Sequence, residues 1–158
     1  MTVLGLFFTA GVSLQEWVET GMFNREKAIY EAHLTAGNVE RVYWFTYGKK
    51  DKIISKRLKE KGRLDKRIVV IGKPSFFYGI LGSAAYSLIM PLIRRKSCKS
   101  CEVYKTNQML GAWAAVIAKK LYGKRLIVRT GYTLSLFQEY RRSRLTNLSR
   151  KLERWACK

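Results

Sequence analysis

One histidine, His33, is all the imidazole this 158-residue chain contains. Histidine-based triads and His-rich metal clusters are therefore excluded from the start. Three cysteines are too few for a disulfide framework. Cys98 and Cys101 form one Cys-x-x-Cys. Cys157 lies 56 residues further on, so the four ligands of a structural zinc are not assembled. A thioredoxin-like dithiol would open a helix after a strand, whereas this one precedes a strand, so the three are read as reduced thiols. No G-x-x-x-x-G-K-[ST], G-x-S-x-G or H-E-x-x-H occurs. Acidic residues are also scarce, 11 against 31 Lys and Arg, for a net charge of +20. The imbalance is uneven: residues 1–93 hold 14 cations and 8 acids, residues 94–158 hold 17 and 3. Such a field attracts phosphorylated molecules, anionic lipid or nucleic acid.

A hydrophobic content of 47% excludes disorder, and the length suits one domain. Val3–Phe8 reads as a buried first strand. It has no basic segment before it and no cleavage site, so a cytoplasmic location without export is expected. Thr9–Trp17 reads as a loop. Arg25–Ala36 reads as a helix with Ala28, Ile29, Ala32 and Leu34 inward, capped by Asn24 and ended by Gly37. A strand over Val42–Tyr47, a basic helix over Asp51–Lys61 carrying Ile53, Ile54 and Leu58, and a strand over Ile68–Ile71 follow. Glu102–Lys105, Met109–Tyr122 and Leu126–Val128 then make a strand, a helix and a strand. That helix presents Leu110, Trp113, Ala114, Ile117 and Leu121 on one face. Gln138–Lys158 reads as a last basic helix. The alternation predicts an α/β, Rossmann-like three-layer domain with a mostly parallel sheet.

Pro74–Ile93 carries no charge over 20 residues and is flanked by Lys73 and Arg94-Arg95-Lys96. It has the length of a bilayer crossing. Phe77, Ile80, Leu81, Ala84, Leu88 and Leu92 gather on one side; Gly79, Ser83, Tyr86, Ser87 and Met90 occupy the other. That division suits a helix packed within the domain, which is favoured, or one lying in a headgroup layer. A span would separate strands that share one sheet.

Open parallel sheets bind ligands outside the carboxyl ends of their strands. Three segments sit there. Thr9–Trp17 contains Gly11 and Ser13, which could bring backbone amides to a phosphate or could form a plain turn. Lys105-Thr106-Asn107-Gln108 is more polar than helix capping requires. Arg129-Thr130-Gly131-Tyr132 puts an arginine where it needs an anion or an acid such as Glu102 or Glu139. Arg141, Arg142, Arg144, Arg150, Lys151 and Arg154 form a basic face without interleaved aromatic residues, which disfavours nucleic acid.

The order of these motifs resembles a known family. Gly11-Val12-Ser13-Leu14-Gln15-Glu16-Trp17 is followed by Gly21…Arg25-Glu26…Tyr30. Next come Lys105-Thr106-Asn107-Gln108…Gly111-Ala112-Trp113 and Arg129-Thr130-Gly131-Tyr132…Ser135…Phe137. Over nearly its whole length the chain is similar to the N-terminal, acceptor-side domain of a family 4 glycosyltransferase, half of a retaining GT-B enzyme. The resemblance implies that Gly11 and Ser13 lie beside the diphosphate of a nucleotide-sugar donor. It implies that Thr106, Asn107, Gln108, Arg129, Thr130, Gly131 and Tyr132 line the acceptor cleft. It implies transfer to a glycan or lipid-linked acceptor, no bound metal or cofactor, and an anionic membrane surface as a partner. Where many relatives carry a histidine this chain has Arg129–Tyr132, so no catalytic residue is assigned. The donor-binding C-terminal domain of the family, roughly another 150–200 residues, and its E-x-x-x-x-x-x-x-E motif are not in residues 1–158. A separate donor-domain chain, or a truncated and inactive frame, is expected accordingly. Without the resemblance, the runner-up is a basic non-enzymatic module that binds polyanions.

Overall fold

A computed structural model describes residues 2–130 together with Lys151 and Trp155. Five strands, β1 (Thr2–Phe7), β2 (Val39–Phe45), β3 (Ile68–Ile71), β4 (Val103–Thr106) and β5 (Arg125–Ile127), form one sheet in the order β3-β2-β1-β4-β5. Every pairing is parallel. The α/β, Rossmann-like expectation is met. The helices are α1 (Leu14–Glu19), α2 (Met22–Thr35), α3 (Asp51–Glu60), α4 (Gly79–Ile93), α5 (Arg95–Ser100) and α6 (Ala112–Tyr122), with a 3-10 turn at Met109–Gly111. The expected helix Gln138–Lys158 lies outside the described residues apart from Lys151 and Trp155.

Alternation along β1 and β2 divides the core between the two faces of the sheet. Phe8, Trp17, Trp44 and Tyr30 pack ring against ring on the side of α1 and α2, with Phe8 and Trp17 stacked at 4.0 Å. Phe7, Phe45 and Tyr104 do so on the other side. There the Tyr104 hydroxyl donates to the Cys98 carbonyl at 2.8 Å. Gly5 leaves the space beneath Cys101: a Cβ there would lie 3.0 Å from the sulfur and 3.2 Å from Phe45 and Tyr104. Cys98 and Cys101 are fully buried, and burial pushes both thiols up to about 12. They are core residues rather than a redox pair.

Four helices depart from the expected reading. The segment read as a loop forms α1, because Ser13 caps it: the Glu16 amide donates to Ser13 Oγ at 3.0 Å. Helix α2 starts at Met22 after a left-handed Gly21, not after Asn24, and buries Phe23, Glu26, Tyr30 and Leu34. Ala28, Ile29 and Ala32 face solvent instead. Helix α6 buries Ala112, Ala114, Ala115, Val116 and Ala118, while Leu110 and Leu121 are exposed. Small side chains let α6 approach the sheet and α4 closely. In α3, Ile53 is exposed and the buried residues are Asp51, Ser55 and Leu58.

Helix α4 packs within the domain through its smaller, more polar side. Tyr86, Ser87, Met90 and Pro91 are buried. Trp113 Nε1 donates to Ser87 Oγ at 2.9 Å, and the Tyr122 hydroxyl donates to the Pro91 carbonyl at 2.7 Å. Among the described residues no helix is long and apolar enough to cross a membrane.

Candidate functional site

A sheet of this order reverses direction between β1 and β4, and a parallel sheet opens a crevice at that reversal, outside the carboxyl ends of the two strands. The loop after β1 and the turn after β4 meet there. The Ala10 amide donates to the Leu110 carbonyl at 2.7 Å, and the Asn107 amide donates to the Phe7 carbonyl at 2.9 Å. Gly111 makes the approach possible, since a Cβ at that position would run into the Phe8 carbonyl. Gly11 and the Thr106–Gln108 segment therefore sit on the same rim. Arg129 joins them through its backbone, whose amide donates to Thr106 Oγ1 at 2.9 Å. Gly131 and Tyr132 lie outside the described residues.

Each residue on this rim has a distinct surrounding. Gly11 is exposed with a φ of +84°, and a Cβ there would meet nothing within 4 Å. Ser13 is engaged as the α1 cap. The remaining amides of that helix start are also taken: Leu14 and Gln15 donate to the Asp51 carboxylate at 2.9 and 3.3 Å. Gly48 donates to the same carboxylate at 3.1 Å. The turn read as offering free amides to a phosphate is thus closed by an acid of the chain itself, and only the Gly11 side of the loop stays open. Thr106 is buried and serves Arg129. Asn107 is also buried, and its Oδ1 has no hydrogen-bond partner among the described residues. Gln108 and Thr130 are exposed.

Arg129 does not pair with Glu102. Its Nη1 donates to Glu26 Oε2 at 3.0 Å, across 103 residues of sequence. The Glu26 side chain is 3% exposed and also accepts from Arg25 Nη2 at 3.0 Å. Lys105 stands close by, its Nζ 5.0 Å from the centre of the Tyr30 ring. Burial pushes the Lys105 ammonium below its ordinary range; Arg129 adds to the fall and Glu26 opposes it. Burial, with Glu26 second, pushes the Tyr30 phenol up. Three cations thus face one carboxylate beside the crevice, leaving a local positive excess that suits an anionic or phosphorylated ligand. In the sequence Glu26 stands only within the resembling motif and Asp51 only at the start of a basic helix; neither reads as a site residue. For Asp51 no local signal exists. For Glu26 the spacing Phe23, Glu26, Tyr30 marks a buried stripe, and Ser13-x-x-Glu16 has the spacing of a capping box at α1.

A second feature lies away from the crevice. A groove of about 920 Å³ runs between α3 and the edge strand β3, with Lys52, Lys56, Lys59, Lys66 and one acid, Glu60, around a floor that includes Val69 and Val70; Glu60 stands 3.9 Å from Lys56. Among the described residues no group of three or more His, Cys, Asp or Glu could hold a metal ion. What the fold and rim define is a parallel α/β domain with a cluster of cations at the rim of its switch point. No protein-family model, no curated protein and no solved structure matches the chain.

Proposed function

We propose that the chain is the acceptor-side domain of a two-domain retaining sugar transferase of the GT-B type. It would act with a donor-binding domain to move a sugar from a nucleotide-sugar to a glycan or lipid-linked acceptor in the cytoplasm. The observation that carries this reading is Asn107. A buried carboxamide oxygen without a partner is costly, and this one lies just beneath the rim at the switch point, where a ligand hydroxyl would have to displace the covering rim to donate to it. The Arg25, Lys105 and Arg129 cluster supports an acceptor bearing phosphate. In this reading Thr106–Gln108 and Arg129–Tyr132 hold the acceptor, and the open flank of Gly11, with Ser13 behind it, faces the donor diphosphate. In this reading the chain orients an acceptor hydroxyl, and the donor half supplies the activated sugar. The experiment is sugar transfer by the full chain with and without a candidate donor domain, alongside acceptor titration. Acceptor binding that weakens about tenfold in Asn107→Ala, an effect of about 1.4 kcal/mol, is the expected result. Donor binding by the chain alone would refute this division.

The groove at α3 and β3 favours a second reading, a non-enzymatic module that binds polyanions through Lys52, Lys56, Lys59 and Lys66. Filter binding of nucleic acid over a salt series separates the two. A steep fall in affinity with salt, lost on charge reversal at Lys56 and Lys59, would favour the module.

A further inference from the structure

The helix α4 is inside out for a domain surrounded by water. A surface helix normally turns leucines to the core and serines to solvent. Here Ser87 and Tyr86 are buried, and Ser83 is partly buried, its hydroxyl accepting from Lys73 Nζ at 2.6 Å. Ile80 is 89% exposed and Leu81 85%, with Leu88, Ile89, Leu92 and Ile93 exposed along the same side. Phe76 and Tyr78 extend that apolar surface beyond the helix start. The inward face is not free to rotate outward, because Trp113 and Tyr122 hold it by hydrogen bonds to Ser87 and Pro91. The apolar side is therefore a fixed outer surface, convex rather than grooved, along about 22 Å of helix.

Its charged surroundings have one sign. Residues 66–101 contain seven Lys and Arg and no Asp or Glu. Lys49 is exposed at the start of the helix, its Nζ 5.0 Å from the centre of the Tyr78 ring, whereas Lys73 is buried against Ser83. Arg95, Lys96 and Lys99 are exposed at its end. We propose that the outer face of α4 docks on an anionic lipid bilayer. The helix axis lies in the plane of the membrane, Ile80, Leu81, Leu88 and Leu92 enter the acyl boundary, and the two cationic ends rest among the headgroup phosphates. Three features favour lipid over a protein partner. The surface is convex, the aromatic side chains sit at its border as they do in interfacial helices, and cations flank both ends with no acid between them. Helix α4 has 15 residues, short of the roughly 20 that a span needs. The proposal stands apart from sugar transfer, since docking is read without any enzymatic activity.

The test is flotation of the full chain with vesicles of pure phosphatidylcholine and with vesicles containing about one part in three phosphatidylglycerol. The chain is expected to float with the anionic vesicles and to be released in part by salt. Leu81→Glu/Leu88→Glu is expected to lower partitioning by about tenfold or more. Arg95→Glu/Lys96→Glu is expected to lower it about tenfold on anionic vesicles only. All four side chains are exposed, so circular dichroism and the thermal midpoint should match the parent chain. Two results overturn the proposal. One is equal flotation of parent and Leu81→Glu/Leu88→Glu. The other is a dimer in lipid-free light scattering that the same variant converts to monomer while neither form floats; this would assign the face to a second copy of the chain.

Discussion

Removing the carboxylate of Asp51 tests how the loop after β1 is held. The residue is fully buried, and its two oxygens accept from Leu14, Gln15 and Gly48. These three bonds tie the start of α1 to the start of α3 and to the end of β2. In Asp51→Ala the Leu14 N–H loses its partner in the interior, a cost of about 1–3 kcal/mol. The Gln15 and Gly48 donors are partly buried and recover water, so each adds about 0.5 kcal/mol. The expected loss is about 3 kcal/mol, a large share of the 5–15 kcal/mol typical of a domain. With a urea dependence of about 2 kcal/mol per molar, the midpoint should fall by about 1.5 M. Asp51→Asn retains one acceptor oxygen for the interior bond and should lose about half as much. Gly48 supplies a second handle, since a Cβ there would collide with the Asp51 carboxylate. Gly48→Ala should therefore be damaging in the parent chain and milder in Asp51→Ala. Urea unfolding followed by circular dichroism measures the parent and all four variants. A loss below about 1 kcal/mol for Asp51→Ala, or equal losses for Ala and Asn, would show that the carboxylate does not anchor this loop.

Three further outcomes follow from the same structure. Gly111→Ala should lower stability by about 2 kcal/mol, read as a drop in thermal midpoint, because β1 and the turn after β4 cannot separate without breaking the Ala10–Leu110 bond. Arg129→Ala should cost more than Glu26→Ala, about 2–3 against 1–2 kcal/mol, since it leaves a buried carboxylate paired directly to the exposed Arg25 alone, with Lys105 only nearby; denaturation of both singles and the double gives the coupling. Cys98 and Cys101 should resist a thiol reagent at pH 8 until urea is added. Their folded-state values of about 12 exceed the ordinary 9.0, so the folded chain holds protons that the unfolded chain has released. That contribution is complete below pH 9 and is lost as pH rises toward 12. Unfolding curves between pH 8 and pH 11 should show the decline, and Cys98→Ala/Cys101→Ala should flatten it.

The sheet was legible in the sequence because glycines and hydrophobic runs punctuate it at short range. Ile68–Ile71 is a strand with the boundaries read from sequence, and Gly37 and Gly123 end their helices in the left-handed region. Helix faces were less legible, for a reason that α2, α4 and α6 share. Periodicity reports that an apolar stripe exists, but not what covers it. In α6 the alanines go inward because two layers meet tightly there. In α4 the serines go inward because Trp113 and Lys73 supply partners from distant segments. The site was half legible by the same logic. The rule for parallel sheets placed Thr106–Gln108 and Arg129 on one rim, yet the acids that organise the rim read as ordinary surface residues. Glu26 and Asp51 acquire their partners from 103 and from 36–37 residues away, and no local pattern announces such pairs.

Their burial sharpens the electrostatic argument. A chain with 11 acids against 31 cations places two of those acids inside, where they answer backbone amides and the Arg25–Arg129 pair. The exposed surface is then more one-sided than composition indicates, and the domain has little with which to neutralise it. Dissolved counterions balance that charge, and a bound polyanion would displace them. The crevice beside Asn107, the lysine groove along α3 and the cationic ends of α4 draw on different residues. Charge reversal at Lys56 and Lys59 leaves the crevice and α4 intact, and reversal at Arg95 and Lys96 leaves the crevice and the groove intact. If one of these pairs abolished acceptor binding, vesicle flotation and nucleic-acid retention together, the excess charge would be acting as a single diffuse field, and none of the three surfaces would be a site.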